Sequence, residues 1–232
     1  MVVRQLFDAE TSTFTYLVVD PASRHAALID SVREHVERDL RLLDELGVTL
    51  THVLETHTHA DHVTGAGLIR ERTRAHTYGG ELGASCIDVH LRHGERITIG
   101  SSTLGVLATP GHTDDSVSYY APGTPGMVFT GDALLIRGCG RADFQNGDAR
   151  TLYDSITRVL WSLPDDTIVY PAHDYRGFTA STIGEERRLN PRLAGSSPDA
   201  FVALMDSLHL PRPGRMDEAV PANRACGLAV QG

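Results

Sequence analysis

Short apolar runs, separated by amphipathic stretches, form the main pattern of this chain. The runs at residues 2–7, 14–19 and 26–29 have the length and apolar content of β-strands. Apolar residues recur with helical spacing in four later stretches, at 64–73, 150–160, 182–189 and 198–208. Because further strand-like runs lie between these stretches, the pattern predicts an α/β domain in which helices pack on a sheet-rich core.

One amphipathic stretch between residues 31 and 47 carries signals for both ends of a helix. Its apolar residues recur at helical steps, as Val32, Val36, Leu40, Leu43 and Leu46. Ser31 and Glu34 have the spacing of a capping box, in which both side chains bond backbone N–H groups. Gly47 suits the left-handed residue that commonly ends a helix. The sequence therefore predicts a helix from residue 32 to residue 46.

Metal-type side chains follow directly after four of the predicted strands. They are His57, His59, Asp61, His62, His112, Asp132 and His173. Strand ends in α/β folds converge at one edge of a sheet, so these donors are expected to meet there. A set of nitrogen and oxygen donors without thiolate suits zinc, iron or manganese. The spacing alone favours two zinc ions, because enough donors for two sites are present.

Charge and hydropathy narrow the range of partners. The chain has 21 Arg, no Lys and 30 acidic residues, which gives a net charge of −9. An acidic surface disfavours nucleic acid and anionic membranes. No apolar run approaches the roughly 20 residues of a membrane span. The first residues carry no secretory signal pattern. We therefore expect a cytoplasmic protein with neither a nucleic-acid nor a membrane partner.

Length and patterning predict a single domain. A chain of 232 residues can bury a core without disulfides or structural metal. No repeat or low-complexity linker divides it, so residues 1–232 are expected to form one domain. The proline-containing stretch 190–232 is expected to be an ordered C-terminal extension of that domain.

The three cysteines, Cys86, Cys139 and Cys226, are odd in number and far apart. This pattern predicts neither a disulfide framework nor a zinc finger. Cys86 is expected to be structural. Cys139 lies between two glycines without an adjacent base, so it is expected to fill a tight site and not to carry sulfur. Cys226, near the C-terminus, is expected to be exposed and oxidisable.

Two levels of family resemblance rest on these motifs. The segment 57–62, together with His112, Asp132 and His173, resembles the metallo-β-lactamase superfamily. The segment 130–145, which reads TGDALLIRGCGRADFQ, looks like the signature of the persulfide dioxygenases, also called sulfur dioxygenases. Three further segments match the same family, at 170–179, 185–193 and 220–223.

The resemblance implies a fold and a metal. The fold would be an αββα sandwich, in which two mixed β-sheets lie between helical layers and the metal lies at the sheet edge. The metal would be a single Fe²⁺ per subunit, held by His57, His112 and Asp132. Two histidines and one carboxylate on one face leave open positions for substrate and oxygen, as in non-haem iron oxygenases. The resemblance also suggests a homodimer.

The resemblance further implies an oxidation. Glutathione persulfide, or a related low-molecular-weight persulfide, would react with O₂ and water to give glutathione and sulfite. Such a reaction would serve sulfide and persulfide detoxification. The iron would carry the redox chemistry, so no dedicated protein nucleophile is needed.

Other residues would orient the ligands or bind substrate. Six are expected to be hydrogen-bonding groups around the iron or remnants of a second metal site: His59, Asp61, His62, His173, Thr113 and Asp174. Arg137, Arg141 and Tyr175 are expected near the substrate, because the carboxylates of glutathione need cationic partners. The alternative for Arg141 is a salt bridge with Asp143 that has no role in binding.

Two other functions stay open. A glyoxalase-II-like hydrolase of a glutathione thioester would use two metal ions and would explain all the metal-type donors. It would not explain the segment 137–145, and its usual C-terminal helical domain is not evident. A non-enzymatic metal or redox sensor would expose an apolar docking patch. The number and kind of metal ions separate the dioxygenase from the hydrolase.

Overall fold

The structure is a computed structural model, and it describes residues 1–228. Twelve strands form two six-stranded sheets. The first sheet consists, in spatial order, of β1 (Val2–Asp8), β2 (Thr13–Val19), β3 (His25–Ile29), β4 (Thr49–Leu54), β5 (His76–Gly80) and β6 (Val89–Leu91). Its first three strands are antiparallel, whereas β3 to β6 run parallel, so the sheet is mixed.

The second sheet is also mixed. Its strands are, in chain order, β7 (Arg96–Ile99), β8 (Ser102–Ala108), β9 (Val117–Ala121), β10 (Met127–Gly131), β11 (Ile168–Pro171) and β12 (Ser181–Thr182). They lie side by side in that order, and only β10 and β11 are parallel to each other. The parallel pair brings the ends of β10 and β11 to the same side of the sheet.

Three apolar clusters correspond to the interfaces between four layers. The cluster between the two sheets contains the fully buried rings of Tyr16, Tyr119 and Phe129. A second cluster joins the outer face of the first sheet to α1 (Val36–Leu46) and α2 (Ala66–Thr73). The third cluster covers the outer face of the second sheet. The helix–sheet–sheet–helix order confirms the predicted αββα sandwich of two mixed sheets.

The helices of the third cluster come from the second half of the chain. They are α3 (Ala149–Asp154), α4 (Ile183–Leu189) and α5 (Pro198–Asp206). The stretch predicted as one helix at 150–160 is divided, because α3 continues as a π-helical turn over Ser155–Val159 and a 3₁₀ turn over Leu160–Ser162. No helix within residues 1–228 is long and apolar enough to cross a membrane.

The start of α1 differs from the prediction, while its end agrees. Gly47 has φ +59° and ends the helix as expected. The capping box is wrong: the Ser31 hydroxyl bonds no backbone N–H at the helix start. Residues 31–33 instead hydrogen-bond to residues 63–65, and a 3₁₀ turn over Arg33–His35 precedes α1. Tertiary pairing between these two segments outweighs the local capping signal.

The C-terminal extension is ordered as far as the structure describes it. α5 buries Phe201 completely in the third cluster. The last helix, α6 (Met216–Asn223), precedes a disulfide between Cys86 and Cys226. The predictions that no disulfide forms and that Cys226 is exposed are therefore wrong. The two cysteines are 140 residues apart, and only the fold brings them together. Residues 229–232 of the predicted extension lie outside the described residues.

Candidate metal centre

The metal-type donors come from both sheets and meet where the strand ends of the two sheets face each other. The donor loop (residues 57–64) follows β4 of the first sheet. His112, Asp132 and His173 follow β8, β10 and β11 of the second sheet. The expected convergence at strand ends is present, but it joins two sheets and not the edge of one. Any ion held here would therefore also link the two halves of the sandwich.

His57, His112 and Asp132 form one compact group, called here the first trio. One ligand atom of each lies within 4.8 Å of the others. Nε2 of His57 and Oδ1 of Asp132 are buried, and neither has a hydrogen-bond partner among the described residues. A buried polar atom without a partner is costly, and a coordinated cation would remove that cost. The first trio therefore fits a metal ion.

The two imidazoles of the first trio are oriented by neutral groups. The Thr56 hydroxyl lies 2.9 Å from Nδ1 of His57, and the backbone carbonyl of Arg141 accepts from Nδ1 of His112 at 2.7 Å. Both bonds use the nitrogen that faces away from the group. Bonds of this kind fix the tautomer and leave Nε2 free to coordinate a metal.

A small residue is needed where the chain passes closest to the first trio. A Cβ on Gly140 would lie 2.5 Å from the Asp132 carbonyl oxygen and 2.7 Å from Nδ1 of His112. Neither distance is compatible with a side chain. Gly140 belongs to the segment 130–145, so the geometry explains one residue of that signature.

His59, Asp61 and His62 form a second trio, whose ligand atoms also lie within 4.8 Å of one another. Nδ1 of His59 and Nε2 of His62 are buried without partners within residues 1–228. Nδ1 of His62 is bonded to Asp61 at 2.9 Å. Nε2 of His173 lies between the two trios, 3.5 Å from Asp61 and 3.6 Å from Asp132. This arrangement keeps a second metal position geometrically possible.

A buried acidic pair behind the second trio was not foreseen from the sequence. Nε2 of His59 lies 3.2 Å from Asp30 and 3.5 Å from Glu55. Asp30 also accepts hydrogen bonds from the backbone N–H and hydroxyl of Thr56. The adjacency of Thr56 to His57 was visible in the sequence. Asp30 directly follows β3, the kind of position that marked the other donors, but it lies 27 residues before His57 and outside the donor motif.

These surroundings shift the pKa values of the histidines in opposite directions. Burial lowers the pKa of His57 well below its usual value, and the neighbouring His59 and His112 lower it further. Burial also opposes the charged form of His59, but Asp30 and Glu55 outweigh it and raise that pKa well above its usual value. The pKa of His173 is raised against burial by Asp132 and Asp61. Metal ligation requires a neutral imidazole, so the lowered pKa of His57 suits this side chain to bind a metal ion.

Thr113 and Asp174 act on loops and do not touch the first trio. The Thr113 hydroxyl donates to Asp115 at 2.6 Å, and Asp115 accepts from the backbone N–H and hydroxyl of Thr58 in the donor loop. Asp174 accepts backbone N–H bonds from residues 176–178 and so shapes the turn that carries Tyr175. Each of them holds a loop and bonds no ligand atom of the first trio, and their predicted role around the metal stays a prediction.

A cavity of about 830 Å³ opens onto His112 and Asp132 of the first trio and contains all three predicted substrate residues in its wall. Arg137 is paired with Glu185 and Glu186. Arg141 is paired with Asp143 at 2.6 Å, as the alternative prediction had it, and also donates to the Pro211 carbonyl. Tyr175 is 71% exposed and its ring is parallel to that of His173. Both arginines lie at the cavity, but their charges are already matched by acids.

Two other arginines in the same wall were missed. Among the described residues, Arg176 and Arg192 form no salt bridge, although the cavity also exposes them. Arg192 donates to the Cys139 carbonyl at 2.7 Å. It lies in the segment 185–193, so that segment contained the signal. Burial raises the pKa of the Cys139 thiol despite the nearby Arg192, which keeps the sulfur protonated at neutral pH.

Comparisons with known proteins agree with this geometry. The profile of the metallo-β-lactamase superfamily matches residues 9–85 and 87–173. The mitochondrial persulfide dioxygenase ETHE1 of Homo sapiens is 48% identical over 98% of this chain and 89% of its own length. The crystal structure of ETHE1 from Myxococcus xanthus superposes with a TM-score of 0.96 at 58% identity, covering 98% of this chain and all of that one.

A more distant solved structure is informative about metal content. The protein TTHA1623, solved in a di-iron-bound form, has a TM-score of 0.68 and 29% identity, covering 82% of this chain and 99% of that one. The similarity to the persulfide dioxygenases is higher and extends over almost the whole sequence. This chain therefore belongs to the persulfide dioxygenase family of the metallo-β-lactamase superfamily.

Proposed function

We propose that this protein is an iron-dependent persulfide dioxygenase. It oxidises glutathione persulfide, or a related low-molecular-weight persulfide, with O₂ and water to the thiol and sulfite. The observation that carries the proposal is the first trio itself. It consists of two histidines and one carboxylate, two of its buried atoms have no hydrogen-bond partner within residues 1–228, and His112 and Asp132 lie at the wall of a large cavity. Family membership supports the same reaction.

The proposed cofactor is one Fe²⁺ per subunit, held by His57, His112 and Asp132. When bound, ferrous iron supplies open coordination positions and the electrons that O₂ chemistry requires. The protein's own part is to hold these ligands in place, through Thr56 behind His57 and the Arg141 carbonyl behind His112. A two-histidine, one-carboxylate set is typical of such iron sites.

The second trio and His173 are proposed to form the hydrogen-bonded surroundings of the iron and not a second metal site. Each of the three histidines among these four side chains already lies beside a carboxylate. His59 lies beside Asp30, and His62 and His173 lie beside Asp61. Such pairs compensate their own charge without an ion. Asp61 also accepts a hydrogen bond from the Thr13 hydroxyl at 3.1 Å, which holds it in this arrangement.

The carboxylates of the thiol carrier are proposed to bind Arg192 and Arg176. These two cations lie in the cavity wall without a salt-bridge partner in the described part of the chain. Arg137 and Arg141 are expected to contribute less, because Glu185, Glu186 and Asp143 occupy them. Tyr175 can place its hydroxyl beside the substrate, since its ring lies against His173 at the same cavity.

A direct assay tests the reaction. Protein loaded with Fe²⁺ should consume O₂ when glutathione persulfide is added and should release sulfite in proportion. Glutathione alone is the matched control and should give no uptake. Absence of uptake at verified iron occupancy would contradict the proposal.

A two-metal thioesterase is the second candidate, and the geometry of the second trio favours it together with the di-iron relative. The metal count separates the two. One iron per chain with O₂ uptake supports the dioxygenase. Two metal ions per chain, with hydrolysis of a glutathione thioester and no O₂ uptake, would support the hydrolase instead.

Three further properties belong to the same proposal. We propose one domain over residues 1–232, a homodimer in solution and a cytoplasmic location. The packing of α5 into the third cluster supports the first. Sedimentation would test the dimer, and localisation of the tagged protein would test the compartment.

A further inference from the structure

The segment 220–223, which reads VPAN, has no role in the reaction proposed above, yet its last residue touches the donor loop. Asn223 ends α6 and is 5% exposed. Its amide nitrogen donates to the backbone carbonyls of His59 and His62, both at 2.8 Å. Its amide oxygen accepts from the backbone N–H of Thr64, also at 2.8 Å. One side chain from the C-terminal extension thus bonds the donor loop at three points.

These bonds satisfy backbone groups that have no strand or helix partner. The donor loop leaves β4 and reaches α2 without regular structure over much of its length. Buried backbone groups in such a segment need other partners, or they cost free energy. Asn223 supplies two donors and one acceptor in a single rigid group. The path of the loop from His59 to Thr64, which carries the second trio beside the first, therefore depends on Asn223.

The C-terminal segment (residues 216–228) is itself fastened just after Asn223, at Cys226. The Cys226 carbonyl accepts from the backbone N–H of Gly67 at 2.8 Å, at the start of α2. The disulfide joins Cys226 to Cys86, which lies between β5 and β6 of the first sheet. Only two residues lie between Asn223 and Cys226, so the covalent bond limits how far the amide can move from the donor loop.

We propose that Asn223 is a positioning residue for the metal centre and that the Cys86–Cys226 disulfide keeps it in place. Asn223 acts through the backbone of the donor loop and touches neither a metal ligand atom nor the cavity in which substrate would bind. The inference rests on the metal centre proposed above, but not on the identity of the substrate. Loss of Asn223 should weaken metal binding by about 10- to 100-fold, the range found for groups that orient ligands.

The test compares two buried asparagines with the same number of bonds. Asn190 is fully buried, and its amide donates to the Gly138 carbonyl and Glu186 and accepts from the Arg192 N–H. Asn190→Ala therefore matches Asn223→Ala in the bonds removed, away from the donor loop. Fe²⁺ affinity, measured by competition with a chromophoric chelator, should fall in Asn223→Ala and change less than about threefold in Asn190→Ala.

An isosteric variant separates hydrogen bonding from space filling. Asn223→Asp keeps the volume and the acceptor for Thr64, but it places a carboxylate against the carbonyls of His59 and His62. Iron affinity should fall at least as far as in Asn223→Ala. Wild-type affinity in Asn223→Asp, or equal losses in Asn223→Ala and Asn190→Ala, would overturn the proposal. Because these are binding measurements, they hold whether or not the protein oxidises persulfides.

Amide hydrogen exchange of the metal-free wild-type protein provides a test that needs no variant. A phosphine reductant converts the disulfide to two thiols. Exchange should then accelerate in residues 216–228 and, together with them, in the donor loop, while the strands of the second sheet keep their protection. Faster exchange in residues 216–228 with an unchanged donor loop would show that the disulfide does not act on the metal centre.

Discussion

The first trio and the second trio have nearly the same donor types and stand side by side, but they differ in what lies behind them. Neutral oxygens, from the Thr56 hydroxyl and the Arg141 carbonyl, orient the imidazoles of the first trio. Carboxylates bond the imidazoles of the second trio, with Asp30 at His59 and Asp61 at His62. The two trios thus offer similar donors in different surroundings, and the proposed metal assignment rests on that difference.

The difference lies in charge balance. An imidazole paired with a buried carboxylate can carry a proton and form an ion pair, which satisfies both groups without a metal. His57 bonds a neutral hydroxyl through Nδ1 and has no carboxylate partner among the described residues, so its Nε2 keeps a free lone pair for a cation. The second trio therefore compensates part of its charge internally, although Nδ1 of His59 and Nε2 of His62 have no hydrogen-bond partner within residues 1–228, as is also true of Nε2 of His57 and Oδ1 of Asp132 in the first trio. This asymmetry is the reason for proposing one iron in a site that has enough donors for two ions.

The largest expected effect comes from removing a member of either trio. His57→Ala or Asp132→Ala should bring iron binding and O₂ uptake below detection, because each removes a ligand of the proposed ion. His62→Ala should keep about one iron per chain and lose about 10- to 100-fold in turnover. Elemental analysis and O₂ uptake measure both. Normal iron content in Asp132→Ala would show that the first trio does not bind the iron.

A methyl group placed against the first trio should have the next largest effect. Gly140→Ala puts a Cβ within 2.7 Å of Nδ1 of His112, so that this ring must shift. A displacement of about 1 Å in a catalytic group can cost about 100-fold in rate, and we expect a loss of that order in kcat with weaker iron binding. Gly138→Ala is the matched control, because its nearest neighbour would be 4.0 Å away. Equal losses in both variants would contradict the assignment of His112.

Replacement of Arg192 in the cavity wall should weaken substrate binding more than it slows the chemical step. Arg192→Ala should raise KM for glutathione persulfide by about tenfold, since a charge-assisted hydrogen bond contributes roughly 1.5–3 kcal/mol. Iron content and kcat should change little. Arg150→Ala serves as the control, because Arg150 pairs with Asp199 outside this cavity. An unchanged KM in Arg192→Ala would remove this residue from the proposed substrate site.

The smallest effect is expected at Asp8, the last residue of β1. The turn after Asp8 leads to Thr13, whose hydroxyl donates to Asp61 of the second trio. Burial raises the pKa of Asp8, but hydrogen bonds from Thr11 and His35 outweigh it and lower that pKa to about 2. A lowered pKa stabilises the fold above the usual carboxyl pKa, and the contribution disappears as pH falls towards 2. Asp8→Asn should reduce the free energy of unfolding by about 2 kcal/mol at pH 7.

Chemical denaturation at several pH values measures this contribution. The difference between wild type and Asp8→Asn should shrink steadily below pH 4 as Asp8 takes up its proton. Asp166→Asn, at an exposed carboxylate without side-chain partners in the described residues, should show little difference at any pH. A pH-independent difference for Asp8→Asn would show that the effect is not electrostatic.

The fold and the donors were accessible from the sequence because their signals are local. The donor loop carries its donors within six residues, and each later donor follows its own strand directly. Gly47 likewise ends α1 through a property of one residue. Ser31 shows the limit of local reasoning, because its segment pairs with residues 63–65 and the capping geometry never forms.

The residues that surround the donors could not be assigned in the same way. Asp30 and Asn223 reach the donor loop from strand β3 and helix α6, and no spacing rule connects such distant positions. The Cys86–Cys226 pair is hidden for the same reason, with 140 residues between its members. Arg192 lay in a recognised segment, but only the structure shows that its charge is unmatched by an acid while those of Arg137 and Arg141 are paired.

The disulfide makes a closed covalent ring of most of the chain. His112, Asp132 and His173 lie inside the ring that Cys86 and Cys226 close, whereas the donor loop lies on the open arm before it. The proposed iron would therefore tie the arm to the ring by a second link besides the disulfide. A single protease cut between residues 87 and 225 would leave one covalently joined molecule until a reductant is added. A single cut in the arm would instead leave a fragment that is no longer covalently joined and is held only by non-covalent packing and the ion.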